Sequence, residues 1–178
     1  MGFRVHGSVF EGSVRVCPLE FSFGLEKGFV HPSDVIRACS HYVSLGLSCD
    51  FEERIGTLLS DEEDQVVPLF SRWRSRLPRD FPHEDPARVW VFLVSGEVSR
   101  KDIPPERKLS AVEDLWAGLD YPDILLDVVH PPPHFDHYEL NPPHARRELD
   151  ALVAGMGASL SARERCMCCS VEGAGADW

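Results

Sequence analysis

Basic residues are scarce in this chain: 18 Lys and Arg stand against 29 Asp and Glu in 178 residues, a formal charge of −11 with His neutral. A surface of that sign repels a phosphate backbone and an anionic lipid face, which argues against general nucleic-acid binding and against docking on membrane. No apolar run reaches the ~20 residues a membrane-spanning helix needs. The opening residues 1–6, MGFRVH, lack the continuous apolar stretch of a signal peptide, and His6 stands where myristoylation needs Ser or Thr. The expectation is a cytoplasmic protein with no membrane partner. Also missing are a phosphate loop, an identifiable nucleophile and an oxyanion hole, so no complete catalytic signature is present. There is no repeat of fixed period.

The six cysteines, Cys17, Cys39, Cys49, Cys166, Cys168 and Cys169, include no paired C-x-x-C knuckles of a structural zinc site. In a reducing compartment they are not expected to form disulfides. Cys39 falls in an amphipathic stretch and reads as a small buried hydrophobe. Cys166, Cys168 and Cys169 sit in a segment of small and polar residues and read as a thiol-bearing flexible tail over residues 158–178.

What the chain does have is a 43% hydrophobic fraction with four Trp, enough for one folded core. Its patterning is helical. Leu19, Phe21, Phe23 and Leu25 precede Gly28, a stop signal. His31-Pro32-Ser33-Asp34 opens a helix whose apolar stripe is Val35, Ile36, Cys39, Tyr42 and Val43. Asp50 reads as an N-cap before Phe51, Ile55, Leu58 and Leu59. Acids at 61–64 precede a helix through Val66, Val67, Leu69, Phe70, Trp73 and Leu77, with arginines near its end, as the helix dipole favours. Pro68 restricts that helix to a start near Asp64 to Val67. Residues 87–98 carry β-branched residues and permit either a buried strand or a helix; Asp85-Pro86 and the helical neighbours favour helix. Pro104-Pro105-Glu106 opens a helix with Leu109, Val112, Leu115, Trp116 and Leu119 on one face. Asp120-Tyr121-Pro122-Asp123 reads as the start of another, with Asp120 as N-cap and Ile124, Leu125, Val128 and Val129 buried. A last helix spans about 143–156. Weak alternation in the first sixteen residues permits a short strand pair or an irregular arm. The sum is a mostly α, single domain over residues 1–157, of seven or eight short helices.

Two blocks carry a family resemblance. Residues 19–30, LEFSFGLEKGFV, lead into a helix bearing Val35, Ile36 and Ala38, and residues 116–124, WAGLDYPDI, follow much later. Both resemble the best-marked blocks of an uncharacterised bacterial helical family, a domain of unknown function, over roughly residues 18–133. The resemblance implies a helical fold and no assigned activity, and such small bacterial domains resemble immunity proteins encoded beside polymorphic toxins.

Three groups are candidates for function. Asp61, Glu62, Glu63 and Asp64 form an acidic run able to fill the basic cleft of a toxin; the plainer role is a solvated loop that caps the next helix. Asp120, Tyr121 and Asp123 add an aromatic and two carboxylates behind it. His130, His134 and His137, with Asp136, Glu139 and His144 near, carry ligand chemistry suited to zinc. Three prolines between His130 and His134 would extend the chain by roughly 12 Å, too far for one ion unless it turns. Arg72, Arg74, Arg76 and Arg79 read as a helix end whose Trp73 is core. The leading expectation is a non-enzymatic immunity protein, without cofactor, that binds a cognate toxin through an acidic face. The alternative is a metal-dependent hydrolase or metal-binding regulator built on the 130–144 segment.

Overall fold

A computed structural model describes residues 4–6, 9, 10, 12, 14–78, 81, 84–129, 142–163 and 168, and all statements below concern these. The described residues fold as a single, mostly α domain. Its helices are α1 (Pro18–Lys27), α2 (Pro32–Ser44), α3 (Asp50–Gly56), α4 (Val66–Arg76), α5 (Ala87–Arg100), α6 (Pro105–Gly118), α7 (Leu126–Val129) and α8 (Pro142–Ser161). Short 3-10 turns at Ser60–Gln65 and Asp123–Leu125 lead into α4 and α7. None of these helices is long and apolar enough to cross a membrane.

α5 organises the packing. It touches α1, α6 and α8, while α2 lies along α3 and α1 along α4. Val89, Trp90, Val91, Leu93, Val94 and Val98 are all buried, so α5 is apolar on most sides and carries no clean stripe. That explains why periodicity alone leaves its strand and helix readings so close. Trp90 sits between Phe10 and Phe29 at centroid distances of 6.2 and 5.8 Å, and its indole N–H donates to the Glu20 carbonyl at 2.7 Å. α1 comes so near that a Cβ on Gly24 would lie 1.9 Å from the Trp90 ring. Gly28 then ends α1 at φ 73°, the left-handed conformation a residue without Cβ adopts freely.

Several boundaries differ from the sequence reading for physical reasons. Among the described residues of the N-terminal arm there is no strand. The Val5 amide makes one backbone bond to the Phe29 carbonyl (2.8 Å), Val9–Phe10 form a turn, and Val5, Phe10, Val14 and Val16 enter the core. This is the irregular arm. The N-cap of α3 is Cys49, because Glu52 sits three residues on and its Oε2 accepts the Cys49 amide at 2.9 Å. Leu58 and Leu59 fall outside that helix, and Leu59 is 65% exposed. α8 continues beyond Met156 to Ser161, since Leu149, Met156 and Leu160 lie on one buried face. Residues 158–161 of the segment read as a tail are therefore helical. Ala162, Arg163 and Cys168 are also described and Cys168 is buried; the rest of that segment lies outside the described residues.

Candidate functional site

The acidic run occupies the 3-10 turn before α4. Glu62 caps that turn, its Oε2 accepting the Leu59 amide at 3.0 Å and its Oε1 the Gln65 side-chain amide at 3.2 Å. Glu63 reaches His31 Nδ1 at 3.6 Å. Asp61 and Asp64 face solvent. Two exposed aliphatic side chains, Leu59 and Val67 (49% exposed), flank the turn. The run is thus both a helix lead-in and an acidic, apolar-edged surface.

The second segment departs from its sequence reading. Asp120 and Tyr121 have φ of 59° and 63°, so Asp120 is not an N-cap. The pair closes α6 instead: the Asp120 amide donates to the Ala117 carbonyl at 3.3 Å, and the Tyr121 amide to Trp116 at 2.9 Å. Pro122, with φ −64°, is the cap of the 3-10 turn that follows. Pro122 disfavours the right-handed α conformation in the residue before it, which stops α6 from running on through Tyr121. Leu125, Val128 and Val129 are buried as expected, while Ile124 is 38% exposed. Tyr121 is 61% exposed, its ring edge-on to Trp116 at 4.9 Å.

Each segment touches one end of the α1–α2 connection. Lys27 Nζ, at the end of α1, holds the Gly118 carbonyl (3.3 Å) and Asp120 Oδ2 (3.4 Å), whereas His31, at the start of α2, faces Glu63. Lys27 and His31 are four residues apart, a separation no chain can stretch beyond roughly 14 Å. Both acidic segments therefore flank the same α1–α2 connection. A groove of about 500 Å3 opens beside the turn, lined by Ile36, Leu58 and Ser60 with Arg37 and His41. The Arg37 guanidinium in its lining makes it unsuited to a basic ligand.

The other candidates resolve differently. Trp73 is buried, stacked on Phe51 at 5.0 Å, and Arg74 pairs with Glu26 at 3.1 Å, so that part of the basic run belongs to the fold. Arg79 lies outside the described residues, as do His130, His134 and His137. His144, at the start of α8, faces Glu148 at 3.8 Å. Among the described residues no three His, Cys, Asp or Glu converge as a metal site.

Sequence reasoning missed a buried polar network. Glu20 and Glu52 occupy the third helical positions of α1 and α3, and Glu20 Oε2 accepts the Cys17 amide at 2.7 Å. Arg163 pairs with both oxygens of Glu20 and donates to the Arg15 carbonyl. Arg15 in turn pairs with Glu52 and lies over the Tyr42 ring at 5.3 Å. The Val16 amide donates to the Tyr42 hydroxyl at 3.1 Å. Burial pushes that hydroxyl well above its ordinary value, against a smaller opposing pull from Val16. Burial lowers the Arg163 guanidinium, but Glu20 outweighs it and the net direction is up. The signal was present in the repeated spacing Cys17-x-x-Glu20 and Cys49-x-x-Glu52, a half capping box with cysteine in place of Ser or Thr.

The model of a family described as an uncharacterized protein conserved in bacteria (DUF2247) matches residues 9–151. The chain belongs to this family. The DUF2247 match contains both acidic segments, Arg15, Glu20 and Glu52, and stops within α8, so Arg163 supplies its charge from beyond the matched span. No curated protein and no solved structure matches the chain.

Proposed function

We propose that this DUF2247 protein is a non-enzymatic immunity protein of the bacterial cytoplasm. It neutralises a cognate protein toxin by laying its acidic, aromatic-edged face over the toxin's basic cleft. The observation that carries this reading is that Asp120 and Glu63 contact the two ends of the α1–α2 connection, at Lys27 and His31, and that each acidic segment is bordered by exposed apolar side chains. Interfaces need such apolar anchors within a charged rim, and opposite charge accelerates encounter. The net charge of −11 adds to that field.

The test is co-expression with the toxin encoded beside the gene. Survival of the cells and a stoichiometric complex on gel filtration are expected. Continued killing with no complex removes the proposal.

A further inference from the structure

We propose that Tyr121 anchors the acidic face and takes a guanidinium group of the partner against its ring. This deepens the toxin-binding reading and rests on it for the partner's identity, while its test uses a defined probe.

Tyr121 is a bulky residue held at φ 63° directly after Asp120 at φ 59°. Asp tolerates the left-handed region; a residue as large as Tyr rarely occupies it. Backbone bonds to Trp116 and Ala117, and the Lys27 ammonium on Gly118 and Asp120, hold the turn. A tyrosine serving only the core would be buried in return. This one is 61% exposed, with Ile124 and Leu126 (42% exposed) beside it in the chain. The turn thus spends stability on displaying an aromatic ring.

Tyr121 has three carboxylates within six residues of it in the chain. Asp123 and Asp127 are exposed, and the Asp120 side chain is 90% exposed despite its contact with Lys27. A planar cation can stack on the phenol while its N–H groups reach a carboxylate. Guanidinium does both at once, whereas ammonium is a compact, strongly hydrated point charge. The patch therefore recognises an arginine on a partner surface, and a basic toxin cleft supplies one.

The experiment is binding of fluorescently labelled nonaarginine and nonalysine peptides at 0.15 M salt to the full chain, with thermal melts of each variant. Wild type binds nonaarginine about 10-fold tighter than nonalysine. Tyr121→Asn weakens nonaarginine about 30-fold, the scale of an interface anchor. Tyr121→Phe and the remote charge control Glu106→Gln each stay within about 3-fold of wild type. The midpoint of Tyr121→Asn stays within about 2 °C of wild type, because Asn accepts left-handed φ and offsets the lost ring contact. Equal binding of the two peptides overturns the proposal. So does a Tyr121→Asn effect no larger than that of Glu106→Gln, or a large drop in its midpoint. Asp123→Asn, which leaves the turn intact, is expected to weaken nonaarginine several-fold, and no change there also counts against it. Peptide binding that depends on Tyr121, with no rescue from the toxin, contradicts the toxin reading alone.

Discussion

Arg163 neutralises a carboxylate that is almost fully buried, since the Glu20 side chain is 6% exposed. Truncating it leaves Glu20 charged, desolvated and without its counter-ion, so Arg163→Ala is expected to cost about 3–5 kcal/mol in denaturant unfolding. Adding Glu20→Gln to that variant is expected to recover a large part of the loss, because Gln still accepts the Cys17 amide and carries no charge. Tyr42 sets a pH dependence. Its raised pKa means that the folded chain keeps the phenolic proton longer than the unfolded chain does. The contribution is complete below the unfolded value of about 10 and is lost as pH rises beyond it. Tyr42→Phe is expected to lower stability at pH 7 by about 1 kcal/mol, through the lost Val16 bond, and to flatten the alkaline decline measured between pH 9 and 12. None of this was legible from single residues. Glu20 and Glu52 look like ordinary surface acids until the helices place them at capping positions, and Arg163 reaches Glu20 across 143 residues of sequence.

At the scale of elements, the α1–α5 contact is the least forgiving. Gly24→Ala puts a methyl 1.9 Å from Trp90 Cζ2, so one helix must shift, at an expected cost of about 1–3 kcal/mol and a midpoint several degrees lower. Element identities were readable where one face is apolar. The α2 stripe, the start of α6 at Pro105 and the stop of α1 at Gly28 follow from periodicity and punctuation. Element ends were less readable, for two reasons. Tertiary packing carries α8 on to Leu160, which local composition does not reveal. At Asp120–Tyr121, a sequence rich in helix-start residues closes the preceding helix instead, because the proline that begins the next turn constrains the residue before it.

For the whole molecule, the sign of the charge was plain from composition, but its placement was not. Sixty residues of chain separate Asp61 from Tyr121, and only the Lys27 and His31 contacts show that both segments flank one connection. We propose that the acidic segments flanking the α1–α2 connection bind a protein partner. Titration calorimetry and stopped-flow association with the toxin encoded beside the gene, from 0.05 to 0.5 M salt, measure that binding. A one-to-one complex is expected, with an association rate that falls steeply with salt and falls about 10-fold or more when Asp61, Glu62, Glu63 and Asp64 become Asn, Gln, Gln and Asn. A complex whose association rate ignores both salt and those four substitutions, or no complex at all, contradicts it.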